Sequence, residues 1–394
     1  MSLTDVVNNS CEVEVSQVYG DLFSDGNLLC NDDENKPLLL ASEQIVHLMD
    51  GWKYFSSSLN ALLNNSENNA IHFAYYGQLR GALSLFSGKG IRLKFRDSFY
   101  IDQTGVVQPF HGNQTHDCVW KIWKQWKNSN NAQEIIETGF KLQTDLTMGV
   151  IKNSLSMVDP ALTLNNLGYD FFHLKNDHDE RNRRSYQADQ ACKEFKLLEK
   201  GDVDFVKELH ELLLPSIESS LKFDNFLVSY LVDIAAVEYQ ENSAPDKTKD
   251  EVLDTFIQRL SDDTGLSCEV LESQLGYQGF KVLEYASDEK TNMKNILSRT
   301  LFMLRIATLS VQRNIEQYGN QNIKDWFLRW HESVGNIVQN SEIELVDLSQ
   351  DLLEAIDNLN FDENDELPAA LWNAENINFS YKLTRPDMML AWGL

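Results

Sequence analysis

Apolar residues that return every three or four positions over long runs constrain this chain more than any other feature. Ile45, Leu48, Met49, Trp52, Phe55, Leu59, Leu62 and Leu63 describe one face of an amphipathic helix, which Asn64-Asn65-Ser66 ends. A second helix is predicted over Ala70 to Ser87, with small residues at Ala74, Gly77, Gly81 and Ala82. A glycine inside a helix costs about 1 kcal/mol relative to alanine, so close approach of another helix is the expected compensation. A third long helix is predicted from Thr291 to Tyr318, with Ile296, Leu301, Phe302, Leu304, Ile306 and Leu309 as its apolar face. The fold class that follows is all-α, with at most a short β-hairpin near residues 91 to 107, where alternation precedes Asp102-Gln103-Thr104-Gly105.

Residues 1 to 38 are polar, acidic and poor in periodic apolar positions, which predicts a loose N-terminal arm. A helical domain is expected over 39 to 200 and a C-terminal helical domain over 201 to 394, with a polar loop at 241 to 250. Gly201 is expected to end a helix running from Gln187 to Lys200. The formal charge of -26, from 60 acidic and 34 basic residues, repels phosphate backbones over the surface as a whole. Nucleic acid is therefore expected to be reached only through partners or through a local arginine patch. Five scattered cysteines without a CxxC pair suit a reducing compartment. Neither a signal peptide nor a window approaching ~18 to 20 apolar residues is visible, so a cytoplasmic protein without membrane contact is expected.

Trp120, Trp123 and Trp126 alternate with Lys121, Lys124 and Lys127, which places the indoles in the core and the lysines in solvent. The Gly88-Lys89-Gly90 step lacks the spacing and hydroxyl of a phosphate-binding loop. His111 and His116 lack companion ligands at metal-site spacing and read as loop histidines; no metal or other cofactor is expected. On the second helix His72, Gln78 and Arg80 have two readings, as lining of a polar pocket or as satisfied polar groups of rim and core. The apolar end, with Met388, Met389 and Trp392, is expected to dock on its own domain or on a partner.

Chemistry is concentrated in Asn176-Asp177-His178-Asp179-Glu180-Arg181-Asn182-Arg183-Arg184-Ser185-Tyr186. With Arg181 and Tyr186 placed near the first turns of a following helix, the acidic residues would favour its N-terminus. Arg181, Arg183 and Arg184 are the densest arginine cluster present.

Arg181-Asn182 followed by Tyr186 resembles the R-N-x-x-x-H signature that opens the last helix of HEPN domains, and the aromatic helix at 70 to 87 resembles a central helix of that family. The resemblance covers at most residues 40 to 200. It implies a helical module common in prokaryotic toxin and antiviral systems, many members of which are metal-independent RNases. There the arginine stabilises phosphate charge, the asparagine orients the site, and the histidine transfers protons or positions the 2′-hydroxyl. Here Tyr186 stands at the histidine position, and a tyrosine titrating near ~10 is a poor base at neutral pH. His178 is the substitute nearest in sequence. The chain as a whole is similar to accessory subunits of bacterial defence complexes, such as the helical subunit accompanying an SMC-like ATPase and a nuclease in Lamassu-type systems. The expectation is a non-catalytic scaffold subunit of an anti-phage, anti-plasmid or toxin complex. The alternative is a HEPN-type RNase acting through Arg181 and Asn182, with His178 or Tyr186.

Overall fold

A computed structural model of the chain describes residues 2–23, 28, 35–111, 115–143, 146–158, 172–186, 197–216, 220–275, 279, 281–319, 321–335, 345–361, 366–390 and 394. The fold is all-α apart from short strands. The first part comprises α1 (Leu3–Asn9), α2 (Val13–Gln17), α3 (Lys36–Leu63) and α4 (Glu67–Gly88). Strands β1 (Ile91–Arg92), β2 (Phe99–Ile101) and β3 (Val107–Pro109) follow, then α5 (Thr115–Trp126) and α6 (Asn130–Gly139). Strands β4 (Lys141–Gln143) and β5 (Leu146–Thr147) lead to α7 (Met148–Ser156) and α8 (Leu174–Tyr186). The remainder is helical: α9 (Lys200–Leu212), α10 (Lys222–Ser243), α11 (Lys249–Thr264), α12 (Cys268–Leu275), α13 (Lys281–Ser287), α14 (Met293–Tyr318), α15 (Gln321–Ser333), α16 (Leu345–Asn358), α17 (Leu367–Leu371) and α18 (Ile377–Leu383). Among the described residues no helix is long and apolar enough to cross a membrane.

Local chemistry explains the boundaries. Asn35 caps α3 by accepting from the Leu38 N–H at 3.2 Å, and Pro37 sits in the first turn, where its missing N–H is harmless. Thr248 and Glu251 form a reciprocal capping box at the start of α11. The polar loop expected at 241 to 250 is consequently shorter, because α10 runs through Ser243 and α11 begins at Lys249. The expected hairpin is present, widened to a three-stranded antiparallel sheet in the order β1-β2-β3, and β4 and β5 add a second hairpin. Gly201 lies inside the first turn of α9 rather than at a helix end.

Helix α14 is the axis of the molecule. Its residues are buried on all sides from Asn295 to Gln312, a pattern expected of a helix enclosed by others rather than of a surface helix with one apolar face. It packs against α3 and α4, and the glycines set the spacing. A Cβ at Gly51 would lie 2.6 Å from Leu304 Cδ2, and one at Gly77 would lie 2.8 Å from Thr300 Cγ2. Thr300 cannot rotate away, because its hydroxyl donates to Ile296 O at 2.7 Å and lies 3.1 Å from Ala74 O. Gly77→Val is therefore expected to destabilise the protein by about 1–3 kcal/mol through overpacking, measured as a lower urea midpoint. An unchanged midpoint would contradict the close contact.

Two expectations are corrected by the packing. The N-terminal arm is not loose over residues 2 to 23: Val6, Val15, Tyr19, Leu22 and Phe23 are fully buried. Tyr19 donates to Gln44 Oε1 at 2.6 Å and Ser16 to Asn314 Oδ1 at 3.0 Å, so this segment is tied to both α3 and α14. Its helices of seven and five residues are too short to show a hydrophobic period. The division near residue 200 is likewise not a break in packing, since buried side chains from Val6 to Leu390 form one contiguous cluster.

Candidate functional site

The charged segment is the body of α8, not the approach to a later helix. Asp177 and Arg181 face inward, while His178, Asn182 and exposed Ser185 form the row beside them at the rim, at the three- and four-residue spacings that put side chains on one face. Asp177 is the anchor. It is fully buried, accepts from Arg299 Nε at 2.9 Å and from Arg299 Nη2, and takes a further bond from Gln78 Nε2 at 3.0 Å. Arg299, also fully buried, spends its other donors on the carbonyls of Asp288 (2.8 Å) and Lys290 (3.0 Å). The acidic run thus contributes one core ion pair besides surface charge, and a helix of very low hydropathy is held against α4 and α14.

Arg181 is 5% exposed. Its guanidinium lies over the rings of Tyr76 (5.0 Å) and Tyr75 (5.5 Å), donates from Nη2 to the Tyr76 hydroxyl, and donates from Nη1 to Asn182 Oδ1 at 2.7 Å. The last bond fixes chemistry further along. Arginine only donates, so the Asn182 oxygen must face it, and the Asn182 amide nitrogen then donates to His178 Nε2 at 3.1 Å. His178 is therefore neutral, with its proton on Nδ1.

Two more imidazoles complete the cluster. His116, in the first turn of α5, shares a 2.8 Å hydrogen bond between its Nδ1 and the Tyr75 hydroxyl. Its ring lies parallel to that of His178 at 5.8 Å and to that of Tyr75 at 5.8 Å. His72, on the same face of α4 as Tyr75 and Tyr76, bonds through Nδ1 to the Ser185 hydroxyl at 2.9 Å and packs 5.0 Å from Tyr76. All three imidazoles titrate below the usual 6.5. Burial is the main cause in each, reinforced by the positive charge of Arg181, while Asp179 pulls His178 partly back. Burial also raises the Tyr75 phenol. At neutral pH the arrangement is one permanent cation among three uncharged imidazoles. The His178 side chain is 18% exposed, so solvent and solutes reach the edge of the cluster.

The expected site residues part company here. Arg181, Asn182 and His178 are brought together. Tyr186 ends α8, and its side chain lies outside the described residues. Arg183 and Arg184 do not form an open basic patch: both donate to Glu180, and Arg184 also reaches Asn68 Oδ1 at 2.9 Å and Glu67 at 3.2 Å. Arg80 leaves the cluster altogether, bonding His47 Nδ1 at 2.9 Å and pairing with Asp50 at 3.7 Å, whereas Gln78 is a core polar group whose amide nitrogen bonds Asp177 and the Ile296 carbonyl while its oxygen has no hydrogen-bond partner among the described residues. Met388 and Met389 are buried, in a turn packed on α3 that Arg385, Asp387 and Ser56 bind together, so they are covered by this chain and not presented to a partner. Trp392 lies outside the described residues. The tryptophans of α5 are buried as expected.

His116 and His72 were the residues that local reading undervalued. The one available signal was His72, Tyr75 and Tyr76 at helical spacing, three polar-tipped rings on a single face. Among the described residues, no three His, Cys, Asp or Glu side chains are grouped so as to hold a metal ion. Compared with known protein families, with curated proteins and with solved structures, the chain has no match.

Proposed function

We propose that this chain cleaves RNA without a metal ion, with Arg181 binding the phosphate and His116 accepting the 2′-hydroxyl proton beside a neutral His178. The observation that carries the reading is the position of the Arg181 guanidinium among neutral imidazoles supplied by α4, α5 and α8. An arginine supplies planar donors to a phosphodiester whose negative charge grows as the 2′-oxygen attacks phosphorus. His116 suits the proton acceptor, because a bond from its Nδ1–H to the Tyr75 oxygen leaves the Nε2 lone pair for a proton, while the His178 lone pair is engaged by Asn182. Attack would expel the 5′-oxygen, which takes a proton from solvent at the exposed edge of the cluster, and would leave a 2′,3′-cyclic phosphate. Tyr186 is not required in this scheme, so its replacement of the family histidine is no obstacle.

The test is cleavage of a defined RNA by purified protein in EDTA. Arg181→Ala is expected to lower the rate about 10²–10³-fold, and His116→Ala about 10²–10⁴-fold, with thermal melting as the check on folding. DNA of the same sequence should survive. Because the imidazoles titrate below 6.5, the acidic limb of the pH profile should lie below that value. Equal cleavage by Arg181→Ala, or none by the wild-type protein, removes the reading.

A second reading is a non-catalytic subunit of a bacterial defence or toxin complex, alongside an SMC-like ATPase and a nuclease. It is supported by the charge of -26 together with the pairing of Arg183 and Arg184 to Glu180, which takes away the basic patch a long nucleic acid would use. Affinity capture from the native host decides it, and recovery of the chain alone counts against it.

A further inference from the structure

A cavity of about 250 Å³ lies between the end of α6, β4 and the second half of α14, well apart in sequence from every residue of the imidazole cluster. Arg305 and Gln312 belong to one wall of it, seven residues apart and hence on the same face of α14. Arg305 is 1% exposed and grips buried Asp224 with Nε and Nη2, at 2.8 and 2.7 Å. Its third nitrogen, Nη1, has no hydrogen-bond partner among the described residues. Gln312, 8% exposed, gives its amide nitrogen to Glu316 Oε1 at 3.0 Å, and its oxygen has no partner among the described residues either. A buried donor and a buried acceptor are each unfavourable when unmatched, so a cavity wall that carries one of each calls for a solute matching both.

We propose that this cavity binds a small carboxylate bearing an adjacent hydroxyl or amino group. One carboxylate oxygen accepts from Arg305 Nη1, Lys141 adds a second positive charge, and the neighbouring O–H or N–H donates to Gln312 Oε1. The charge balance argues for a monoanion or zwitterion over a phosphate. Asp224 already neutralises Arg305, Arg313 in the lining pairs with Glu134 at 2.6 Å, and Glu316 shares the lining with Lys141, so the walls are close to neutral and do not offset the second charge of a dianion. The volume falls just short of the ~300–1,000 Å³ typical of sites for larger ligands, which restricts the occupant to a few heavy atoms beyond the carboxylate.

Calorimetric titration of the 394-residue chain with L-lactate, L-alanine, propionate and inorganic phosphate tests this. Lactate and propionate share a skeleton and differ by the hydroxyl; alanine carries the amino group instead. Lactate or alanine is expected to bind at least tenfold more tightly than propionate, and which of the two does so identifies the donor. Gln312→Leu is expected to erase that tenfold preference, and Thr138→Trp, at the rim, to block binding of all of them. Arg305 is left intact because Asp224 depends on it, and melting of the two unliganded variants confirms that they fold. Equal affinity for propionate and lactate, tighter binding of phosphate, no binding at millimolar concentration, or a preference that survives in Gln312→Leu would overturn the proposal. RNA cleavage plays no part in this readout, so either proposal can fail without the other.

Discussion

Asp177→Ala is expected to destabilise the protein by about 3–5 kcal/mol, because it strands the Arg299 guanidinium in a site with no exposure and, among the described residues, no other anion bonded to it. Whole-protein stabilities of ~5–15 kcal/mol make this a large fraction of the total. The larger part of the effect is the uncompensated charge rather than the lost attraction. A double variant, Asp177→Leu with Arg299→Met, should therefore recover most of the loss, as buried pairs replaced by apolar residues of similar volume are often neutral. Recovery will be incomplete, since Arg299 also holds the carbonyls of Asp288 and Lys290 ahead of α14. Urea unfolding of the wild type, both single variants and the double variant measures the coupling. A loss under ~1 kcal/mol for Asp177→Ala would show that the pair does not hold α8 in place.

Acidification from pH 6.5 towards 4 is expected to weaken the fold through His210 and His331. Both are fully buried and titrate at about 4, burial being the main cause; Asp387 opposes the fall in both, and Arg385 adds to it for His331. His210 Nε2–H donates to Leu383 O at 2.7 Å, and a proton added at Nδ1 would have no partner among the described residues. Between pH 6.5 and about 4 the unfolded chain binds these protons and the native one does not, so stability falls as pH falls. The slope is about 1.4 kcal/mol per pH unit for each histidine, or roughly 3 kcal/mol apiece across the window. Above pH 6.5 neither contributes a slope. Unfolding midpoints at pH 7 and pH 5 should differ less for His331→Phe than for the wild type, and identical pH dependence would refute the assignment.

Much of the scaffold was legible because α3, α4 and α14 carry their burial pattern within continuous helices. Leu48, Trp52, Phe55 and Leu59 announce a face without help from elsewhere, and Gly77 announces close packing. Of the site, Arg181, Asn182 and His178 were legible, all three within one short segment. Nothing near Asp177 indicates that it is the buried acid and Asp179 the exposed one, because that choice is made by Arg299, 122 residues later. His116 looked like a loop residue because its neighbours in the cluster, Tyr75 and His178, come from other helices. Short helices such as α1 and α2 hid their core role for a different reason: at seven and five residues they complete too few turns to show a period.

The Asp177–Arg299 pair also sets an order of events during synthesis. Helix α8 emerges from the ribosome with its buried acid but without the countercharge, which follows 122 residues later. At about 5–20 residues per second that interval is about 6–24 s. Throughout it, Arg181 and the imidazoles are present but lack the core contact that holds their helix. A nascent or prematurely terminated chain thus lacks the ion pair that holds α8 against α14 until translation has passed Arg299.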